Sequence, residues 1–224
     1  MLELADRGLW AVADGMGGHS SGDVAATIVI EELATAATGE ASIDDERVVA
    51  ALQSANRIIT ARWGLAESSS GTTVVVARIR GSIATIWWVG DSRAYRIRGG
   101  RPLCLTRDHS LVQELIDAGA LSEVQAERHP QRNVITRAVG VGDDLQIDRV
   151  EAALEPGDLL LLCSDGVSRS MAFDDFLAPY TRVDELADTI LRNALDRDGT
   201  DNATVVVIQN TREYAADQLK CTIQ

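Results

Sequence analysis

Two kinds of apolar pattern alternate along the chain. Short runs without polar interruption occupy 9–13, 159–163 and 203–208, and each has an aspartate-containing turn at one end. Runs of this length suit strands buried on both faces. Between them, Val24, Ile28 and Leu33, separated by small alanines, predict a helix beginning near Ser21. Val48, Val49, Leu52, Ala55 and Ile59 mark a second helix, and Val183, Leu186, Ala187, Ile190, Leu191 and Ala194 mark an amphipathic third. Residues 72–79 and 83–89 read as a hairpin joined at Arg80-Gly81-Ser82. Residues 91–98 form a strand ending at Gly99-Gly100, where a tight turn needs positive φ. A short helix over 109–118 carries Leu111, Val112, Leu115 and Ile116. Residues 119–147 are polar, contain Pro130 and show no period, which predicts a mobile surface excursion. Strands return at 148–154 and 159–163, and 203–208 is read as the final strand. Hairpins and helices without regular β-α-β alternation favour an α+β fold of antiparallel sheets covered by helices.

Composition narrows the classes. With 224 residues, 46% of them hydrophobic, and no repeat or linker, the chain is one domain with ample core. A formal charge of −13 opposes nucleic-acid and anionic-membrane partners, which require a basic footprint. Lys220 is the one lysine, so P-loop and Schiff-base chemistry are excluded in practice. Cys104, Cys163 and Cys221 show no C-x-x-C spacing and point to a reducing compartment. No stretch approaches the roughly 20 apolar residues of a membrane span, and residues 1–10 have no signal-like apolar region. The expectation is a cytoplasmic protein.

The chemistry lies in the turns. Asp14-Gly15, Ser164-Asp165-Gly166 and Asp201-Asn202 place carboxylates at the mouths of buried strands, which costs desolvation energy unless positive charge compensates. No lysine or arginine adjoins any of them, so a hard divalent cation is the economical partner. In Asp14-Gly15-Met16-Gly17-Gly18-His19 the glycines let backbone carbonyls approach a cation closely. Each turn also has a plainer reading: Asp14 as a helix cap, the other two as ordinary strand-ending turns. Three together favour a metal-dependent hydrolase. A competing pattern, Cys163 to Ser170, satisfies the C-x₅-R-S phosphate loop of cysteine-dependent phosphatases. There Asp165 would force a carboxylate into an anion nest, and a cysteine in a leucine-rich strand is more often a small buried hydrophobe.

Seven motifs in order resemble the metal-dependent protein phosphatases of the protein phosphatase 2C type, in a bacterial form. They are Val12-Ala13-Asp14-Gly15-Met16-Gly17-Gly18-His19, Ser70-Gly71-Thr72-Thr73, Val89-Gly90-Asp91-Ser92-Arg93, Leu105-Thr106-Arg107-Asp108-His109-Ser110, the run from Asn133 to Gly140, Cys163-Ser164-Asp165-Gly166 and Asp201-Asn202-Ala203-Thr204. The resemblance implies a four-layer α/β/β/α sandwich, two antiparallel sheets flanked by helix pairs, with a flap near 119–147. It implies a protein serine/threonine phosphatase in which water, activated at a dinuclear Mg²⁺ or Mn²⁺ centre, attacks phosphorus directly. Asp14 would bridge the ions, the Gly15 carbonyl would reach one, and Asp165 and Asp201 would hold the other. Asp108 either joins Asp165 at a third, looser ion or caps the helix over 109–118. Gly71, Thr72, Asp91, Ser92 and Arg93 are taken to shape hairpins around the site. Eukaryotic relatives carry a histidine directly after the Asp-Gly pair; Met16 stands there here, which leaves His19 as the nearest acid or as an ordinary surface histidine.

The resemblance also implies phosphorylated protein partners, substrates of a bacterial Ser/Thr kinase, and a monomer. The segment 8–14 is similar to phosphatases associated with type VI secretion. Family members place an arginine followed by an acidic residue on a strand ahead of the Asp14 strand. This chain begins at Met1-Leu2-Glu3-Leu4, and Asp6 and Arg7 lie too close to match. A single domain over 1–224 without the usual first strand is expected, with weakened grip on phosphate and metal. That leaves a second reading, a regulatory binding module of low activity on the phosphatase fold.

Overall fold

Two antiparallel sheets pack face to face, and their central strands are covered on both sides, which explains why those strands are apolar throughout rather than alternating. The structure is a computed structural model; it describes residues 1–17, 19–38, 43–63, 70–177, 182–199, 201–211 and 219–223, apart from the side chains of His19, Ser20, Phe173 and 219–223. In chain order the elements are β1 (Leu2–Leu4), β2 (Leu9–Met16), α1 (His19–Ala36), α2 (Asp45–Trp63), β3 (Gly71–Arg80), β4 (Ile83–Val89), β5 (Arg93–Arg98) and β6 (Arg101–Cys104). They continue with α3 (Leu111–Asp117), α4 (Glu123–Ala126), β7 (Asp148–Ala153), β8 (Leu159–Cys163), α5 (Asp165–Ser168), α6 (Val183–Arg197), β9 (Val205–Asn210) and β10 (Leu219–Ile223). One sheet runs β1-β2-β3-β4-β7 and the other β10-β9-β8-β5-β6.

Successive residues of one strand point to opposite faces. Trp10, Val12, Val75, Ala77 and Ile86 therefore meet Ala94, Leu160, Leu162, Val206 and Ile208 between the sheets. Their neighbours Leu9, Ala11, Val74, Val76 and Trp87 face Val29, Leu33, Leu52 and Ile59 of α1 and α2. On the far side Leu159, Leu161, Val205 and Val207 receive Leu186, Ala187 and Ile190 of α6. The α/β/β/α layering holds, with α1 and α2 as a long pair on one side and α6 beside the one-turn α5 on the other. Full burial of each aliphatic side chain stabilises the fold by about 1.5–3 kcal/mol.

Several elements differ from the sequence reading. The strand at 203–208 is not the last: β10 adds to the edge of β9, Leu219 facing Asn210. Leu2–Leu4 form β1, which pairs only with Leu9–Ala11, so Val12–Met16 have no strand partner on that side among the described residues. β6 closes a hairpin with β5 through Gly99 and Gly100, at φ 56° and 73°, the left-handed pair such a turn demands. Strands of three or four residues are too short to display a period. The helix over 109–118 starts at Leu111, capped by the Ser110 hydroxyl, which accepts from Gln113 N at 3.3 Å. Asp108 is not its cap. Within 119–147, Ser122 and Gln125 form a capping box that starts α4.

That excursion is tied down at its end. Val139 bridges Thr72 of β3, and the buried Asn56 of α2 grips the chain on either side of Val141. Asn56 Oδ1 accepts from Gly140 N at 2.7 Å and Nδ2 donates to the Gly142 carbonyl at 3.0 Å. Gly140 sits at φ +92°, where an added Cβ would lie 2.1 Å from Ile59 Cγ2. Asn56→Ala leaves a buried N–H and carbonyl unpaired, at a cost of about 1–3 kcal/mol. In thermal melts the midpoint should fall by roughly 2–4 °C for each kcal/mol. An unchanged midpoint would show that the clamp contributes nothing.

Candidate metal centre

The aspartate turns meet at one end of the sandwich. Asp14 pairs with Thr73 near the end of β2, whose pairing with β3 runs on to Met16, and the Thr72 hydroxyl donates to the Asp14 carbonyl at 2.9 Å. The next residue cannot carry a side chain: a Cβ on Gly15 would lie 2.3 Å from the backbone of Gly22, so α1 presses directly on the strand end. Asp165 begins α5 immediately after β8. Gly166 fits only as glycine, its Cβ position being 2.3 Å from the Asn202 carbonyl. Ser164 completes that junction: its N–H donates to the Thr204 carbonyl at 3.0 Å and its hydroxyl accepts from Thr204 N at 3.0 Å. The loop bearing Asp201 is thereby seated beside Asp165, and Asn202 N donates to Asp201 Oδ1 at 2.8 Å.

Electrostatics records the convergence. The Asp14 carboxyl is pushed up to about 7 by burial first, then by the charge of Asp165 and a shared hydrogen bond with it, and further by Asp201 and Asp91. Asp91 is pushed up to about 6 by burial and by the charges of Asp165 and Asp108, against the pull of Arg169. Asp91 therefore does more than shape a hairpin: it belongs to the carboxylate cluster. Its turn is held by Gly90, which donates to His109 Nδ1 at 3.0 Å and accepts from His109 N at 3.0 Å, while Ser92 and Thr73 share a 2.7 Å hydroxyl contact.

Two arginines stand among these carboxylates. Arg93 grips Asp108 with both carboxylate oxygens, at 2.8 and 2.6 Å, and reaches the Tyr95 hydroxyl at 3.2 Å. Arg169 Nη2 lies 2.8 Å from Asp165 and 3.2 Å from Asp91. Asp165 therefore does have a basic partner, one helical turn onward, and the i,i+4 spacing of Asp165 and Arg169 was the available signal. Cys163 is fully buried and burial pushes its thiol up, while Arg169 faces carboxylates instead of an anion nest; the C-x₅-R-S pattern does not form a phosphate loop. His19 begins α1, and its side chain lies outside the described residues.

The donor set fits hard cations. Asp14, Asp165 and Asp201 are all oxygen donors, and the rise at Asp14 comes from burial and then from neighbouring negative charge, both of which a divalent ion would offset. Among the described residues no three carboxylate, imidazole or thiol side chains stand close enough together to enclose an ion. Beside Asp201 and Gly166, a cavity of about 60 Å³ is bordered by Arg132 and Asn133 of the 119–147 segment, which places that segment against the cluster.

The chain's similarities agree with this geometry. The family model for protein phosphatase 2C matches residues 3–201. Protein phosphatase PhpP of Streptococcus pneumoniae is 37% identical over 96% of this chain and 90% of its own length. The catalytic domain of the serine/threonine protein phosphatase PstP, solved with two manganese ions, superposes with a TM-score of 0.76 at 32% identity, covering 89% of this chain and 85% of that one. PppA, a regulatory component of type VI secretion in Pseudomonas aeruginosa, gives a TM-score of 0.78 at 33% identity over 92% of this chain and 87% of its own.

The crowding has a pH signature in metal-free protein. Asp14 titrates near 7 when folded against 3.8 ordinarily, so between those values the folded chain holds a proton that the unfolded chain has released. Stability from this group is therefore present at low pH and lost as pH rises through about 7. With metal chelated, the melting temperature should fall between pH 5 and pH 8, and Asp14→Asn should flatten that fall and raise the midpoint at pH 8. An equally steep decline in Asp14→Asn would remove Asp14 from the cluster.

Proposed function

Because the chain belongs to the protein phosphatase 2C family, we propose that Asp14, Asp165, Asp201 and the Gly15 carbonyl hold its two catalytic divalent ions. The protein is a metal-dependent serine/threonine protein phosphatase, a hydrolase acting on phosphorylated proteins. The observation that carries the assignment of residues is the convergence of the aspartate turns, which lifts the Asp14 carboxyl to about 7 through burial first and then the charges of Asp165, Asp201 and Asp91. Such a cluster is costly in every role except cation binding.

When bound, a pair of divalent ions lowers the pKa of water and neutralises phosphoryl charge. The chain supplies the frame. Asp14 feels the charges of Asp165 and Asp201 and lies just beyond the buried half of β2, Leu9–Val12, which fixes the carboxylates without long side chains. No side chain here attacks phosphorus: Cys163, the nearest thiol in sequence, is sealed in the core. The leaving serine or threonine alkoxide takes its proton from solvent or from His19, three residues beyond Met16. Arg132 and Asn133, bordering the cavity beside Asp201, support placing the phosphoprotein between the 119–147 segment and the metal edge.

Manganese is the metal we assign, with magnesium as substitute; the two-manganese PstP structure supports it. Among the described residues no helix is long and apolar enough to cross a membrane, and together with the cysteine usage this supports a cytoplasmic setting. The proposed substrates are proteins phosphorylated by a bacterial Ser/Thr kinase, met by the protein as a monomer, and the PppA likeness supports type VI secretion as one such setting.

On a phosphothreonine peptide, EDTA should abolish turnover and Mn²⁺ restore it. Asp14→Asn and Asp165→Asn should each lower kcat/KM by about 100-fold or more, since even outer-sphere partners of metal ligands cost 10–100-fold. Iodoacetamide should leave the rate intact. Activity that survives EDTA and dies on alkylation would overturn the assignment.

A further inference from the structure

The geometry points to Arg169 as a built-in counter-cation that occupies the Asp91–Asp165 corner of the centre and excludes an additional divalent ion from it. This inference rests on the metal-centre reading above. One nitrogen, Arg169 Nη2, contacts Asp165 at 2.8 Å and Asp91 at 3.2 Å, bridging two carboxylates as an ion would. The Asp91 side chain is only 9% exposed, and Arg169 is the cation that contacts it among the described residues. A buried carboxylate beside further carboxylates requires a positive partner, and the chain supplies one in the Arg169 side chain.

The neighbouring corner is closed in the same way. Asp108, which with Asp165 was expected to hold a third ion, has both oxygens bound by Arg93. The two guanidiniums are not equivalent. Arg93 is fixed by a bidentate pair and by the Tyr95 hydroxyl, whereas Arg169 is held through a single nitrogen. Arg169 is therefore the one that can swing away. While it stays, a divalent ion at this corner meets a fixed positive charge at contact distance. Because a guanidinium does not deprotonate in proteins, the exclusion does not depend on pH.

Equilibrium dialysis against Mn²⁺, with melting of the metal-free protein, tests this on the full chain. Wild type should bind two ions. Arg169→Gln should bind one more, weaker ion per chain and melt at a lower temperature without metal, and adding Asp91→Asn to it should remove the extra ion. Arg169→Lys keeps the charge and should keep the wild-type count; Asp91→Asn alone should also keep it. An unchanged count in Arg169→Gln, an extra ion in Arg169→Lys, or a lost ion in Asp91→Asn would each overturn the proposal. Should Arg169→Gln not fold, the Lys and Asp91→Asn counts still decide. Wild type that binds no Mn²⁺ would overturn the metal centre itself.

Discussion

Repulsion among carboxylates at one end of the sandwich is the constraint on which the rest of the structure depends. Asp14, Asp91, Asp108, Asp165 and Asp201 gather where several strands end, and burial lifts Asp14 to about 7 and Asp91 to about 6. Left to themselves such groups would separate or protonate. They stay together because each is fastened by its backbone, and because Arg93 and Arg169 discharge one side of the cluster. The other side, at Asp14 and Asp201, has no guanidinium pairing among the described residues and is left for cations.

The fold answers this strain with rigidity. β2 and β8 deliver Asp14 and Asp165 from strands sealed on both faces, so neither carboxylate can retreat without moving core residues such as Val12 or Leu162. Gly15 against Gly22 and Gly166 against Asn202 bring backbones so close that no side chain fits, which fixes α1 on one strand end and the Asp201 loop on the other. A continuous path of bonds runs from Asn56 through Gly140 and Val139 to Thr72 and the Asp14 carbonyl. The segment over 119–147 is consequently tethered to the strand that carries Asp14. Stability is given up where function needs it: the charges that favour cation binding are those that weaken the metal-free chain as pH rises.

Much of this was legible in the residues. The apolar runs announced buried strands, the 3.6 period announced α1, α2 and α6, and Gly99-Gly100 announced its hairpin, because these signals are local and each residue carries its part of them. Asp14, Asp165 and Asp201 stood out since a carboxylate closing a buried strand conflicts with its surroundings in the sequence itself. β1 and β6 were too short to show a period, and β10 pairs through backbone groups, which any side chains can accompany.

The sequence by itself determined most element types, the two-faced burial of the central strands and the positions of the aspartate turns that end them. Only tertiary structure decided which charges face which. Asp91 read as a hairpin residue until folding set it beside Asp165 and Asp108, and Asp108 read as a helix cap or an ion ligand until Arg93 was seen to hold it. Arg169 had only a disfavoured place in a C-x₅-R-S pattern, and one turn of α5 lays it over Asp165. Coulombic pairing depends on distance through space, and residues 91 and 169 acquire a distance only when β5 and β8 lie side by side.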